Sequence, residues 1–330
     1  MIKIYDLTNA PYSNRHGSYG GMAGDKDGIL INGEYWIIKY PKAAREFENS
    51  IDMSYTTSPL SEYIGSHIYD ILGIPVHDTI LGMRNDKLVV ACKDFCKTRG
   101  QLMEMRTIKN AANRQLESIL EHEMHYSSTG ERVNLNELML HLDNNPVLLK
   151  CRDVKEYFWN MVIVDILIDN NDRNSGNWGV LFDEQADEYT LAPVYDNGNS
   201  FLNKTNERKL ETILNDPHRN QQYAGSRTAY DFNGNVMSAK KMLKLENTDL
   251  QMAIVRMVPK IKEKLDDIRQ MIQNIPEKYK KFDIISINRK KVYIESVDVR
   301  FNELLYPAYL RANELIQESV PAYKIKQKTR

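Results

Sequence analysis

The chain has 330 residues, enough for two lobes or two domains at roughly 100–200 residues each. Its 42% apolar and 27% charged content is that of a folded globular protein, and a formal charge of −1 supplies no global field that would draw nucleic acid or an acidic membrane. No apolar run reaches the roughly 18–20 residues that cross a bilayer, and residues 1–6 lack the apolar core and small-residue cleavage site of a signal peptide. Three cysteines (Cys92, Cys96, Cys151) are too few and too oddly spaced for a disulfide framework, so a cytoplasmic protein without membrane or direct nucleic-acid contact is expected.

In chain order, the first signal is a segment from Gly17 to Gly28 with five glycines in twelve residues, among them Gly20, Gly21 and Gly24. Two β-prone runs follow, Ile29–Ile31 and Tyr35–Tyr40, joined by Asn32-Gly33, which predicts a hairpin. Ser58-Pro59 reads as an N-cap with proline at the first helical position, Leu60, Ile64, Ile68, Ile71 and Leu72 as an apolar helix face, and Gly73 as its stop. Ile74–Val76, Thr79–Met83 and Leu88–Phe95 read as further strands. Residues 1–98 are thus expected to form a mostly antiparallel, β-rich N-lobe with one helix. From residue 99 to 330 a mostly helical C-lobe is expected, with helical spacing over 107–125, 134–143, 150–169, about 236–274 and 294–318. A hairpin interrupts it at 178–194, and polar residues 203–235 read as long loops. The terminal Lys324, Lys326, Lys328 and Arg330 read as a solvated tail.

The chemistry concentrates in Ile168–Gly179. This polar loop lies between the buried helix 150–169 and the hairpin, so core holds it at both ends. Asp172 and Asn177 are separated by four residues, the spacing at which a kinase loop places an aspartate that receives a hydroxyl proton and an asparagine that ligates magnesium. After the hairpin, Asp196-Asn197-Gly198 supplies a second carboxylate directly behind a strand, where metals bridging nucleotide phosphates need one. Each piece alone has a bland reading: Asp172–Asn177 as a polar turn, Asp196–Gly198 as a type I′ turn. Their order points to an ATP- and magnesium-dependent phosphotransferase. Lys39, ending the strand Trp36–Lys39, sits where a kinase keeps its phosphate-contacting lysine, and Glu62 is placed to pair with it. The glycine segment offers backbone N–H groups to phosphates. Val89–Phe95, with Lys93 and Phe95 at its end, is the expected hinge that reads adenine through backbone groups.

The residues Trp36–Pro41, Ser61-Glu62-Tyr63, Leu72-Gly73-Ile74, Asn171-Asp172-Arg173 with Asn177, and Leu191–Asp196 resemble the HipA-like serine/threonine kinases, and are most similar to that family's compact members. The resemblance covers about residues 15–200 well and the helical remainder loosely. It implies a two-lobed, protein-kinase-like α+β fold and transfer of the ATP γ-phosphoryl group to a serine or threonine of a protein. It also implies Asp172 as the catalytic aspartate, Asn177 and Asp196 as magnesium ligands, and Lys39 as the phosphate-contacting lysine. The family phosphorylates its own phosphate loop on serine, which makes Ser18 the candidate here, and it brings in an antitoxin protein as a candidate partner. Where the family usually has histidine after the Asp-Arg pair, this chain has Asn174, which carries no proton at neutral pH.

Two rival readings stand beside this one. A lipid or small-molecule kinase also uses Asp-Arg-x-x-x-Asn, and a non-catalytic, pseudokinase-like toxin component would keep the fold without the transfer. Glu121–His125 resembles a metal motif but lacks a third placed ligand and reads as a solvated helix end. Cys92 and Cys96 read as buried or spectator thiols.

Overall fold

The protein is described here from a computed structural model covering residues 2–15, 26–42, 56–96, 100–121 and 123–319. Gly20, Gly21, Gly24, Ser18 and the terminal lysine run lie outside the described residues.

Short β-branched and aromatic runs build one sheet from β1 (Tyr5–Asp6), β2 (Lys26–Ile31), β3 (Glu34–Lys39), β4 (Thr79–Arg84) and β5 (Lys87–Lys93), in the order β1-β4-β5-β3-β2. All neighbours are antiparallel except β1 on β4. The β2–β3 turn has positive φ at both Asn32 (51°) and Gly33 (81°), the twist a two-residue hairpin requires. α1 (Ser58–Ile71) packs against β4 and β5 through Leu60, Ile64, Ile68 and the following Leu72, all buried. Its N-cap is Thr57 rather than Ser58, and the Thr57 hydroxyl donates to the Asn203 carbonyl at 3.1 Å instead of capping its own helix. Gly73, at φ +61°, ends the turn that follows. The strand expected over Ile74–Val76 does not form. Pro75 has no N–H for a ladder, and only Val76 makes an isolated parallel bridge, to Val194.

β6 (Gly100–Glu104) crosses to pair with the second hairpin, so that β8 (Gly179–Asp183) lies between β6 and β9 (Glu188–Leu191). Between them come α2 (Met105–Leu120), β7 (Val133–Asn134), α3 (Leu135–Asn144) and α4 (Val154–Ile168). α4 is apolar almost all round and correspondingly buried on every side, the central post of the helical lobe. Residues 203–235 are not long loops. They form α5 (Glu207–Asn215), α6 (Arg219–Ala224) and β10 (Arg227–Phe232), which turns through Asn233-Gly234 into β11 (Asn235–Ser238). Asn206 caps α5 by accepting the Lys209 N–H, and Leu210 anchors it in the core. The chain continues through α7 (Ala239–Met242), the 26-residue α8 (Thr248–Gln273), the short pair β12 (Lys278–Tyr279) and β13 (Phe282–Asp283), and α9 (Ile287–Arg300). A π-helical turn, Phe301–Leu305, leads into α10 (Tyr306–Ser319). α8 packs on α4 and α10, closing the core around the post. The result is a two-lobed α+β fold with a β-rich and a mostly helical lobe. Among the described residues, no helix is long and apolar enough to cross a membrane.

Candidate active site

α4 carries one charge into its apolar surroundings, Asp165, which is 4% exposed. A carboxylate there demands a partner, and Arg173 provides it from the following loop with two bonds, Nε to Oδ2 at 2.8 Å and an Nη to Oδ1 at 3.0 Å. Tyr69 and Asn170 donate to the same carboxylate at 2.8 and 3.0 Å. The remaining guanidinium hydrogens go to the Asn177 carbonyl at 2.9 Å, and to the Tyr195 carbonyl and Asn197 Oδ1, each at 2.5 Å. One buried side chain therefore fixes the loop's start at Asp172, its end at Asn177 and both neighbours of Asp196. Below it, Arg300 closes the C-terminal end of α4 by donating to the Ile166 carbonyl at 2.5 Å and pairing with Asp169 at 3.2 Å.

At the opposite wall, Lys39 Nζ lies 3.0 Å from Glu62 Oε2 and 3.0 Å from Asp196 Oδ1. β3, α1 and the segment after β9 thus converge on one ammonium. Burial alone would lower the Lys39 pKa, but Asp196 and Glu62 together hold it well above its ordinary value. Burial would likewise raise Glu62, and Lys39 with His77 outweighs it, keeping the carboxyl well below the usual range. Lys39 depresses the pKa of Asp196 against burial and the nearby Glu62 charge. Asp196 also occupies the left-handed region, at φ +62°, a conformation that non-glycine residues keep only where the surroundings impose it.

Asp172 stands at the floor of the cleft. Its side chain remains open to solvent on one side, while protein on the other raises its pKa, aided by Asp196 and opposed by the hydrogen bond from Asn174. That bond, Asn174 Nδ2 to Asp172 Oδ1 at 3.1 Å, leaves Oδ2 uncommitted by any hydrogen bond among the described residues. Asn174 Oδ1 accepts the Gly176 N–H at 2.8 Å, so this position shapes the loop and steadies the carboxylate without carrying charge. Asn177 donates its Nδ2 to the Asp172 carbonyl at 2.5 Å, which leaves its Oδ1 as the available ligand atom.

Two cavities meet at Lys26, Lys39, Asp172 and Asp196. One, about 650 Å³, is bounded by Ile37, Cys92, Phe95, Leu102, Tyr195 and Asn177. The other, about 510 Å³, runs past Lys42, Ser58, Asn171, Asn203 and Lys204. Of the expected hinge residues, Phe95 faces Tyr195 with ring centroids 5.7 Å apart. Lys93 borders the first cavity, but its ammonium is paired with Glu34 at 2.7 Å, and its N–H donates to the Asp78 carbonyl at 2.8 Å. The N–H groups of Asp94 and Cys96 are also taken, by the Tyr35 carbonyl and Asp94 Oδ1. Sequence reasoning missed Asp165, His77, Asn197 and the lysines Lys26, Lys42 and Lys204. Only Asp165 gave a readable signal, a lone charge inside an apolar helix. Among the described residues, Glu62, His77 and Cys92 bring one ligand atom each within 4.8 Å of one another, yet Glu62 is already held by Lys39 and His77.

Residues 18–277 match the HipA-like C-terminal domain family. The chain is 29% identical over 305 residues to the serine/threonine-protein kinase CtkA of Helicobacter pylori, covering 90% of this chain and 85% of that protein. It superposes on the crystal structure of that proinflammatory kinase with a TM-score of 0.79 at 27% identity, over 95% of this chain and 99% of the other. The HipA chain from a toxin–antitoxin complex of Shewanella oneidensis, solved with HipB and operator DNA, matches with a TM-score of 0.54 at 13% identity, over 96% and 70% of the two chains, a likeness of fold.

Proposed function

Because the chain belongs to the HipA-like C-terminal domain family, we propose that it is a serine/threonine protein kinase that uses ATP and magnesium, with Asp172, Asn177, Asp196 and Lys39 as its working residues. The observation that carries this reading is the convergence on one cleft of the Lys39 ammonium, paired with both Glu62 and Asp196, and of the Asp172–Asn177 loop. We take the lobe boundary at 98/99, between β5, the last strand of the N-lobe sheet, and β6.

The donor atoms fit the cofactor. Asn177 Oδ1 and Asp196 Oδ2 are hard oxygens that accept no hydrogen bond among the described residues and belong to residues lining the same cavity, and magnesium takes few protein ligands of this kind. When bound, ATP supplies the phosphoryl group and magnesium offsets charge on its phosphates. Lys39 contacts phosphate oxygens, with Glu62 fixing its position. Phe95 and the larger cavity would hold the adenine, with the Phe95 N–H and the neighbouring carbonyls as the base-reading edge, since the N–H groups of Lys93, Asp94 and Cys96 are engaged. From the sequence, Gly20, Gly21 and Gly24 would offer backbone N–H groups to the phosphates. Asp172 orients the acceptor hydroxyl and takes its proton on Oδ2, and Asn174 holds the other oxygen.

The partner is a protein bearing the acceptor hydroxyl, the chain itself included, with Ser18 as the internal acceptor and the cytoplasm as the compartment. An antitoxin partner rests on family resemblance, and co-purification with a small DNA-binding protein tests it. The deciding experiment follows label from γ-phosphate-labelled ATP. Wild type should label protein at serine or threonine, and Asp172→Ala should lower the rate by about 10²–10⁴-fold. Label appearing only on an added lipid or metabolite, or unaltered labelling by the variant, overturns the reading.

A further inference from the structure

His77 has no part in the roles assigned above, yet it stands where the two halves of the site are joined. Its backbone lies between α1 and β4, and its N–H donates to the Val194 carbonyl at 3.1 Å while Val194 returns a bond to Pro75 at 2.9 Å. The segment that carries His77 is therefore stitched to the chain two residues before Asp196. The ring Nε2 lies 2.9 Å from Glu62 Oε1 and 3.2 Å from Ser66 Oγ. Glu62 Oε1 is buried and accepts no hydrogen bond of regular geometry among the described residues, so the His77 ring beside it is the polar contact on the half of the carboxylate that Lys39 does not reach. Ser66 Oγ in turn accepts from Asn197 Nδ2 at 3.0 Å, and Asn197 Oδ1 accepts from Arg173. A continuous polar chain thus runs Lys39–Glu62–His77–Ser66–Asn197–Arg173. From Glu62 to Arg173 every member is at most 5% exposed.

We propose that His77 is a positioning residue for phosphoryl transfer, holding Glu62 against Lys39 and setting that pair in register with the segment after β9 that delivers Asp196. A buried histidine that merely filled core would need only one polar partner. This one contacts α1 at both Glu62 and Ser66, one helical turn apart, and its backbone is fixed to Val194 in the segment that leads to Asp196. A carboxylate held at both oxygens has one orientation, and Lys39 inherits it; displacements of about 1 Å at such a point reduce rates on the order of a hundredfold. The role acts through Glu62 and touches neither nucleotide nor acceptor.

The proposal rests on the kinase reading, and its test separates the two. His77→Ala is expected to weaken ATP binding by about tenfold in titration calorimetry, which needs no turnover, and to lower kcat, with the KM for the protein acceptor unmoved. His77→Gln, which keeps a side-chain N–H donor, should recover most of both losses. Should His77→Ala fail to fold, a double-mutant cycle carries the test: His77→Leu, which keeps bulk but removes the ring nitrogen, should weaken ATP binding in the wild-type background and have little further effect in a Glu62→Gln background, because both act through one contact. Wild-type ATP affinity and kcat in His77→Ala, uniform loss with no recovery by glutamine, or fully additive effects in the cycle would overturn the proposal. If wild type transfers no label to protein, the kinase reading falls, while the calorimetry still decides the role of His77.

Discussion

Arg173→Met is the perturbation that most directly probes how the site is held. Arg173 is fully buried and makes five hydrogen bonds, two to Asp165, two to the carbonyls of Asn177 and Tyr195, and one to Asn197. Removing one partner of a buried ion pair costs about 3–5 kcal/mol, because the other charge is left without compensation. Tyr69 and Asn170 still donate to Asp165 in the variant, which favours the lower end, about 3 kcal/mol. At an unfolding entropy of about 2.1 cal/mol/K per residue, a chain of this length should lose about 4 °C in Tm. Activity should fall further than stability: the carbonyls of Asn177 and Tyr195 lose their shared donor, and with it the spacing of Asp172, Asn177 and Asp196. The assay pairs a thermal melt with initial rates measured well below the melt. Arg173→Met/Asp165→Leu, which removes both charges, should recover part of the stability while the rate stays low. A Tm within about 1 °C of wild type, or a rate that returns with stability in the double variant, would refute this account of the loop.

Two other outcomes follow from the same geometry. Asp172 must be ionised to accept a proton and its pKa is raised, first by burial, so kcat should fall as pH drops through a value above that of an ordinary aspartate. Asp172→Asn should remove that acid limb along with nearly all transfer, and a limb centred below the ordinary aspartate value would contradict the assignment. Gly65→Ala tests the approach of α1 to the Asp196 turn, since an added Cβ would lie 2.9 Å from Asn197 Cβ and 3.4 Å from Ile168 Cδ1. The displacement should cost about 1–3 kcal/mol in a denaturant melt and lower kcat, and a neutral substitution would show that this contact is slack.

What the sequence makes legible is what sits on local signals. Asn32-Gly33 announces its hairpin, and the apolar face from Leu60 to Leu72 announces α1, because turn chemistry and period act over a few residues. The same rule was available at Asn233-Gly234, with φ of 49° and 72°, yet its polar flanks concealed a hairpin whose strand β10 is covered by β7 from a distant part of the chain. Within the site, Asp172, Asn177 and Asp196 are readable because they follow a buried helix and bracket a hairpin. His77 and Asn197 belong to no local pattern, since each gains its meaning from a partner across the fold: Glu62 is 15 residues from His77, and Ser66 is 131 from Asn197.

That division has a physical cause that bears on how the site works. Groups that meet the nucleotide must project from loops into solvent, and loops are short enough for their spacing to carry information. Groups that hold them must be buried, where an unmet hydrogen bond costs about 1–3 kcal/mol, so their partners are specified by the packed core and by no stretch of chain alone. Asp172 therefore reads as a kinase aspartate from its neighbours, while its placement depends on Arg173 answering a charge on α4 and on Asn197 passing that constraint through Ser66 and His77 to Glu62. If this is the order of control, substitutions along the buried chain should shift ATP affinity and kcat without touching either substrate, and their effects should be non-additive with Lys39→Met. Lys39→Met combined with Ser66→Ala is the sharpest pair, because Ser66 is three links away from Lys39 and shares no atom with it. Additive losses in ATP affinity would mean that the chain is only a set of separate buried bonds.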